Sequence, residues 1–307
     1  KRFANWLAEA KDWNISRNRF WGSCLPLWIN VEDPADIICV GSIAELEALS
    51  GVKVEDLHKH YIDQIEIHRG GKTYRRTPEV LDCWFESGSM PYAQHHYPFE
   101  NKRKVEETFP AEFIAEGLDQ TRGWFYTLVV LSTILFDKPA FRNVVVNGLV
   151  LAEDGRKMSK RLKNYPDPMA VINQYGADAL RLCMLSSPVV RAEDLRFSET
   201  AVREVMRTVL LPVWNSYSFL ATYARVDNWR PAAGALRYPR NPANVLDSWI
   251  LSRLTATVAD FRAALDAYDL QKGATRFTGF IEDLTNWYIR RSRRRFWKSS
   301  NDRDKEE

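Results

Sequence analysis

Residues 148–161 read GLVLAEDGRKMSKR, and this stretch decides the fold. The apolar run 141–151 leads into it, and the dipeptide Asp154-Gly155 predicts a turn. Four cations follow within six residues: Arg156, Lys157, Lys160 and Arg161. Cations at this density need water or an anion to compensate them. The stretch therefore predicts either a solvated loop or an anion-binding loop, because open α/β sheets bind phosphorylated ligands beyond the carboxyl ends of their strands.

Short β-rich runs alternate with helical periodicity before residue 198. The β-rich runs are 37–40, 113–115 and 143–151, and the helical ones are 120–136 and 177–185. This alternation predicts an α/β sheet with crossover helices. Beyond residue 198, long amphipathic helices are predicted at 200–223, 245–268 and 274–297, with a polar, proline-containing link at 228–242. We therefore predict an α/β domain at 1–197 followed by an α-helical bundle at 198–307.

Charge is distributed unevenly between these two parts. The formal net charge of the 307 residues is +3, but the part from Ser198 onward carries 18 Lys and Arg against 13 Asp and Glu. The part before it carries 25 Lys and Arg against 27 Asp and Glu. A basic helical part behind a near-neutral α/β part indicates two domains with different partners.

Composition excludes several classes of protein. With 45% hydrophobic residues and 11 Trp, the chain is neither disordered nor collagen-like. The longest apolar stretch, 127–136, has about half of the roughly 20 residues that a membrane span needs, so we expect no membrane segment. The four cysteines are scattered and form no zinc-type pair, which predicts no metal site and a reducing, cytoplasmic compartment. Because the chain begins with Lys1, we expect it to be a piece of a longer polypeptide.

The stretch 113–125 is a second candidate site. An apolar strand ends at Glu116-Gly117, and a helix is predicted to begin near Asp119, whose carboxylate suits an N-cap. Either Asp119 only caps the helix and Glu116 is a surface residue, or this corner binds a ligand. Trp84 and Trp124 can also be interpreted in two ways. Either they pack in the core, or they form the walls of an apolar pocket.

The string KMSKR at 157–161 resembles the KMSKS signature of class I aminoacyl-tRNA synthetases. Three further segments are similar to the isoleucyl-tRNA synthetases and occur in the same order: DWNISRNRFWGSCLPLW at 12–28, DCWFESGS at 82–89 and EGLDQTRGWF at 116–125. Four ordered matches are specific, and the resemblance covers most of the chain. It implies the C-terminal half of a Rossmann-like class I catalytic domain, followed by the first part of a helical anticodon-binding domain.

The resemblance also implies the chemistry, which is ATP-dependent charging of tRNA(Ile) with isoleucine through isoleucyl-adenylate. Lys157 and Lys160 would be the catalytic cations on the phosphates, and Trp84 and Trp124 would form the walls of the isoleucine pocket. The residues implied to bind ATP or the adenylate are Glu116, Gly117, Asp119, Gln120, Gly148 and Lys160. Mg²⁺ is expected to accompany ATP, with no protein ligand evident. We expect the lysines, Glu116 and both indoles to meet in one crevice.

The sequence also departs from the family. It contains no His-x-Gly-His motif, which in the family helps to hold ATP, since its five histidines are His58, His60, His68, His95 and His96. The editing domain of the family precedes the segment 12–28 and is not expected here. We expect 29–77 to be a connective insertion without zinc, because only Cys24 and Cys39 lie nearby. Helices are predicted there at 43–57, capped by Ser42, and at 57–67, with a turn at Gly70-Gly71.

The end of the last predicted helix is strongly basic. Six cations occur within the nine residues 290–298, next to Phe296 and Trp297. They form either a solvated helix end or a surface for phosphates and unpaired bases. Given the resemblance we favour tRNA, and the predicted contacts are Arg290, Arg291, Arg294 and Arg295. Two other hypotheses stay open: a piece of a valyl-tRNA synthetase, and a tRNA-binding module without catalytic activity.

Overall fold

The computed structural model describes residues 2–230 and 242–297. The chain forms two compact units. The first contains residues 1–114 and 119–144, and the second contains residues 115–118 and 145–307. Residues 231–241 of the predicted link and residues 298–307 of the predicted bundle lie outside the described residues.

Small antiparallel sheets and short helices build the first unit. Its strands are β1 (Ser16–Arg17), β2 (Leu27–Asn30), β3 (Ile37–Cys39), β4 (Ile67–Arg69), β5 (Lys72–Arg76) and β6 (Val80–Leu81). Its helices are α1 (Arg2–Ala8), α2 (Ile43–Ser50), α3 (Lys59–Ile62), α4 (Cys83–Ala93), α5 (Lys102–Thr108) and α6 (Trp124–Phe136). β1 pairs with β6, and the other four strands form one sheet in the order β3-β2-β5-β4.

The four-stranded sheet spans residues 27–76, nearly the same residues as the segment 29–77 that we predict to be a connective insertion. Its core is centred on Trp28, whose indole nitrogen Nε1 donates to the carbonyl of Ile65 at 2.8 Å. Ser42 caps α2 as predicted, since its side chain accepts from the amide of Glu45. The turn at Gly70-Gly71 is also confirmed, with φ values of +59° and +76° that favour glycine. The helix predicted over 57–67 is wrong beyond α3, because Ile67 begins β4 and is fully buried in the core.

Two further strands lie in both units. β7 (Ala111–Gly117) and β8 (Phe141–Asn147) form a two-stranded sheet, and each begins in the first unit and ends in the second. β7 covers the predicted run 113–115. β8 covers the first five residues of the predicted run 143–151, and the strand is interrupted at residues 148 and 149. The apolar helix α6 connects β7 to β8 and packs against α4.

The second unit contains the last strand pair and the helical region. Its strands are β9 (Val150–Leu151) and β10 (Leu195–Arg196), which pair in parallel. Its helices are α7 (Pro168–Tyr175), α8 (Ala177–Leu185), α9 (Glu199–Val205), α10 (Leu211–Val226), α11 (Val245–Asp266), α12 (Leu270–Glu282) and α13 (Arg290–Trp297). A parallel pair needs a crossover connection, and α7 and α8 lie between the two strands in the chain.

The three long helices predicted beyond residue 198 are confirmed. A π-helical segment, Met206–Leu210, joins α9 to α10, and another, Asp283–Ile289, joins α12 to α13, so both run as long helical stretches. α11 begins after Asn244, whose side chain accepts from the amide of Leu246. Within the described ranges, no helix combines the length and apolar character needed to cross a membrane.

Gly88 provides a test of the packing between α4 and α6. A Cβ atom at this position would lie 2.9 Å from Cδ1 of Leu131 and 3.1 Å from the backbone carbon of Thr127. We expect Gly88→Ala to lower the free energy of unfolding of the 307-residue chain by about 1–3 kcal/mol, because the two helices must separate. Chemical denaturation measures this change.

Gly279→Ala is the matched control. Gly279 is also inside a helix, but a Cβ atom there would meet no atom within 4 Å. This substitution should therefore stabilise the chain by about 0.5–1 kcal/mol through helix propensity alone. Equal effects of the two substitutions would contradict the close packing at Gly88.

Candidate active site

The cationic loop that follows β9 is a hairpin held by its own backbone. The amide of Gly155 donates to the carbonyl of Ala152 at 2.8 Å, and Gly155 has a φ of +81°. The amide of Ala152 in turn donates to the carbonyl of Arg156 at 2.9 Å, and Leu151 pairs with Lys157 in an antiparallel bridge. The predicted turn at Asp154-Gly155 is thus present, and it returns the chain toward the end of β9.

Only one of the four loop cations is neutralised locally. Arg156 forms an ion pair with Asp154 at 2.6 Å. Hydrogen bonds from the Arg156 amide and guanidinium lower the pKa of the Asp154 carboxyl group. In the part of the chain that the structure describes, no carboxylate lies within ion-pairing distance of Lys157, Lys160 or Arg161, all of which are exposed. Three uncompensated cations on one short loop favour the binding of a polyanion.

Asn164 is a residue of this loop that the sequence analysis missed. Its Oδ1 accepts from the amide of Ser159 at 2.9 Å, and its Nδ2 donates to the carbonyl of Lys157 at 3.2 Å. Side chains of Asn often bond to nearby backbone in this way. An Asn directly after a cluster of cations was the available signal, but its partners depend on how the loop turns.

Gly148 has a packing role that explains why the residue is glycine. Its amide donates to the carbonyl of Val189 at 2.8 Å. A Cβ atom on Gly148 would lie 1.9 Å from the carbonyl oxygen of Glu193, which no side chain can tolerate. The requirement for glycine therefore arises from the approach of the protein's own backbone. Contact between Gly148 and an adenylate stays a prediction.

The corner after β7 differs from its predicted form. Glu116 is exposed at the end of β7, and a 3-10 helix, Leu118–Arg122, follows. Asp119 is not the N-cap of α6, because that helix begins only at Trp124. Instead Oε1 of Gln120 accepts from the amide of Trp124 at 3.0 Å, and this bond satisfies the first free amide of α6.

The structure places Trp84 and Trp124 at the contact between α4 and α6. The six-membered ring of Trp84 lies against Gly123, and Nε1 of Trp124 donates to the carbonyl of Ser87 at 3.0 Å. Trp84 is 41% exposed and lines a cavity of about 550 Å³ with Trp6, Arg122 and Gly123. Trp124 is half-buried and is not among the described residues that line this cavity. Of the two predicted walls, only Trp84 therefore faces it.

The basic end of the bundle contains two kinds of arginine. Arg290, Arg291 and Arg294 are exposed, and the guanidinium of Arg291 lies 4.0 Å from the centre of the Trp287 ring. Arg295 differs from them, because its two terminal nitrogens donate to the two carboxylate oxygens of Asp247 at 2.7 Å each. Its side chain is only 16% exposed. We therefore remove Arg295 from the predicted tRNA contacts.

Asp247 is the centre of this buried network. The hydroxyl of Tyr288 also donates to it, at 2.7 Å. Burial alone would raise the pKa of Asp247, but the bonds from Arg295 and Tyr288 outweigh burial and lower it. For Tyr288, burial and the Asp247 carboxylate both raise the pKa. The network joins the beginning of α11 to α13, and so fixes the helix that carries the exposed arginines.

Metal-binding side chains are not clustered in the part of the chain that the structure describes. No group of three or more His, Cys, Asp or Glu there could hold a metal ion. Cys24 is half-buried and Cys39 is exposed, and all four cysteines are free.

Comparison with known families identifies the class of protein. The model for tRNA synthetases class I (I, L, M and V) matches residues 1–196, and the model for the anticodon-binding domain of tRNA ligases matches residues 247–306. The chain therefore belongs to the class I tRNA synthetases of this group.

Individual relatives narrow the resemblance to one kind of synthetase. The chain is 58% identical to an isoleucine–tRNA ligase of Protochlamydia amoebophila, over 96% of this chain and 28% of the relative. It is 56% identical to an isoleucine–tRNA ligase of Treponema denticola, over 99% of this chain and 28% of the relative. The recognition of isoleucyl-tRNA synthetase motifs is thereby confirmed. The chain spans less than a third of the length of these curated relatives.

Solved structures confirm the fold class. The ternary complex of Agrobacterium radiobacter K84 agnB2 LeuRS, tRNA and LeuAMS has a TM-score of 0.69 at 18% identity, over 92% of this chain and 37% of that one. A Mycobacterium tuberculosis methionyl-tRNA synthetase with methionyl-adenylate has a TM-score of 0.64 at 17% identity, over 100% of this chain and 50% of that one. The α/β class with a following helical bundle is the fold that these synthetases share with the chain.

The distinction between Arg295 and its neighbours can be tested by stability. We expect Arg295→Ala to lower the free energy of unfolding by about 3 kcal/mol, because it leaves the buried Asp247 carboxylate without its cation. Arg294→Ala removes the same charge from an exposed position and should change stability by less than about 0.5 kcal/mol. Chemical denaturation of both variants measures the difference. A small effect of Arg295→Ala would show that the buried pair is not formed.

Proposed function

We propose that the protein to which this chain belongs charges tRNA(Ile) with isoleucine at the expense of ATP. The carboxylate of isoleucine attacks the α-phosphorus of ATP and pyrophosphate leaves, which gives isoleucyl-adenylate. A terminal ribose hydroxyl of the tRNA then takes the acyl group, and AMP leaves. The observation that carries this proposal is the loop after β9, with two exposed lysines that lack a carboxylate partner among the described residues. Relatives at 56–58% identity that are isoleucine–tRNA ligases support it. They favour isoleucine over the valyl alternative.

The lysines supply charge rather than a nucleophile. Lys157 and Lys160 would bind the ATP phosphates and stabilise the negative charge that develops as pyrophosphate leaves. Because neither side chain is engaged by a carboxylate in the described structure, no ion pair has to break first. The hairpin fixes the backbone at Lys157 through its bridge to Leu151, which limits the freedom of the loop before ATP binds.

The other predicted residues would bind the adenylate and the amino acid. The adenylate would be bound by Glu116, Gly117, Asp119 and Gln120. Gly148, which has no side chain, would let the backbone come close to the adenylate. Trp84 would form an apolar wall for isoleucine, supported by its position on the 550 Å³ cavity. Trp124 would support that wall through its bond to Ser87 on α4.

We propose that Mg²⁺ arrives with ATP. The described residues offer no cluster of metal ligands, and the loop is cationic. The phosphates would therefore supply the negative ligands that Mg²⁺ prefers, and we assign it no protein ligand.

The helical region would bind tRNA. Three exposed arginines of α13, Arg290, Arg291 and Arg294, offer phosphate contacts, and the exposed rings of Trp287 and Trp297 offer stacking surfaces. We propose the domain boundary at 197/198, with the connective insertion at 29–77, and a cytoplasmic location.

A second function is proposed for the isolated chain. The 307 residues contain no His-x-Gly-His motif. By itself the chain would therefore bind tRNA without forming the adenylate. Adenylate formation by the 307-residue chain would disprove this second proposal and leave the first intact.

Pyrophosphate exchange tests the synthetase proposal on the full-length protein. We expect exchange to depend on isoleucine, with valine and leucine much weaker. Lys157→Ala and Lys160→Ala should each lower kcat/KM for ATP by about 100-fold, because each removes a cation from the transition state.

Lys163→Ala is the matched control for both variants. Lys163 is an exposed lysine of the same loop to which no catalytic role is assigned, and its removal should change exchange by less than about threefold. If exchange is faster with valine than with isoleucine, the proposal of isoleucine as the substrate is wrong. Equal losses in all three lysine variants would refute specific roles for Lys157 and Lys160.

Salt dependence tests the tRNA surface. We expect the triple substitution Arg290→Ala, Arg291→Ala and Arg294→Ala to weaken tRNA binding and to reduce the slope of log affinity against log salt by about 2, since each phosphate contact releases counterions. Binding is measured by filter retention or anisotropy from about 50 to 200 mM salt.

The control removes an equal charge elsewhere in the helical region. Arg203 in α9, Arg225 in α10 and Arg262 in α11 are exposed, and their triple replacement by Ala should leave the slope nearly unchanged. If both triple variants lose affinity equally, binding depends on overall charge and not on α13.

A further inference from the structure

Lys157 and Lys160 are exposed, and their side chains form no ion pair with the described residues. Their position depends on the backbone between Leu151 and Asn164. The first half of this backbone is a hairpin closed by the bridge between Leu151 and Lys157. The second half contains Lys160 and needs its own support, because the bridge ends at Lys157.

Residues after Met158 form a tight turn. The carbonyl of Ser159 accepts from the amides of Leu162 at 3.1 Å and Lys163 at 2.9 Å. Lys163 has a φ of +47°, the left-handed value with which the turn closes. This geometry brings the next residue, Asn164, back against the beginning of the turn.

The Asn164 amide then bonds to both sides of Met158. Its oxygen accepts from Ser159 and its nitrogen donates to Lys157. One half-buried side chain therefore joins the end of the hairpin to the turn that carries Lys160. A carboxamide has one acceptor and one donor in a fixed plane, and this is the pair of groups that these two bonds require.

We propose that Asn164 is a positioning residue that clamps the loop so that Lys157 and Lys160 are presented together to the phosphates. This inference rests on the proposed function, because the phosphates are those of ATP in that reaction. Asn164 does not touch the substrate in this scheme. It acts by reducing the number of loop conformations in which the two cations point away from each other.

The test compares two substitutions in the full-length protein. Asn164→Ala removes both bonds, whereas Asn164→Asp keeps an acceptor for Ser159 and loses the donor to Lys157. We expect Asn164→Ala to lower kcat/KM for ATP in pyrophosphate exchange by about tenfold, with KM for isoleucine unchanged. Asn164→Asp should lie between Asn164→Ala and the unsubstituted protein.

Limited trypsin digestion tests the clamp without reference to catalysis. Lys157, Lys160 and Arg161 are exposed cleavage sites, and mass spectrometry identifies cuts after them. We expect Asn164→Ala to increase cleavage at these sites several-fold while the melting temperature stays the same. Asn286→Ala, which removes an exposed amide far along the chain in the Asp283–Ile289 segment, is the control and should change neither measurement.

The outcomes separate the two proposals. Faster cleavage together with the loss in kcat/KM for ATP supports the clamp and its role. Unchanged cleavage in Asn164→Ala refutes the clamp, and faster cleavage with unchanged kinetics refutes its role in positioning the lysines. If the unsubstituted protein shows no isoleucine-dependent exchange, the proposed function fails, and digestion still decides whether Asn164 holds the loop.

Discussion

The structure of the candidate site depends on cations that have no partner in the described protein. Lys157, Lys160 and Arg161 lie within five residues of one another and repel each other, so the loop that carries them must be held by other forces. The hairpin bonds, the turn at Ser159 and the Asn164 amide supply this support through the backbone. An ion pair would stabilise such a loop too, but it would also occupy the charge that an incoming polyanion needs. Support through neutral backbone bonds leaves that charge available.

The same distinction separates the arginines of the bundle. Arg295 is engaged by a buried carboxylate and orients α13, whereas Arg290, Arg291 and Arg294 are exposed on that helix. In both places a fixed scaffold presents exposed cations. The two cases differ in what holds the scaffold: hydrogen bonds of the backbone at the loop, and an ion pair between α11 and α13 in the bundle.

Periodicity and turn chemistry were sufficient to predict most of the fold. The long helices and the strands at 37–40, 113–115 and 143–151 follow from the local pattern of apolar residues. The Ser42 cap and the Gly70-Gly71 turn follow from residues that lie within a few positions of each other. Two of the features that were missed, at Arg295 and Gly148, depend on distant partners, and one depends on the form of a local turn. Arg295 looks like its neighbours in sequence, and only the packing of α11 brings Asp247 to it. Gln120 replaces Asp119 at the start of α6 because a 3-10 turn delays the helix. Gly148 is required by Glu193, 45 residues away in the chain.

The segment after α8 shows how such distant contacts link the loop to the bundle, since both belong to the second unit. The carbonyl of Val189 accepts from Gly148, and Leu195 donates to the carbonyl of Leu149 at 2.8 Å, so this segment supports the strand that leads into the loop. On its other side, Arg191 binds Asp269, the N-cap of α12, at 2.9 Å. A single short segment therefore contacts both the base of the cationic loop and a helix of the bundle. The bonds between this segment and the strand are backbone hydrogen bonds. A shift of α12 that moves Arg191 would therefore also move the backbone at the base of the loop.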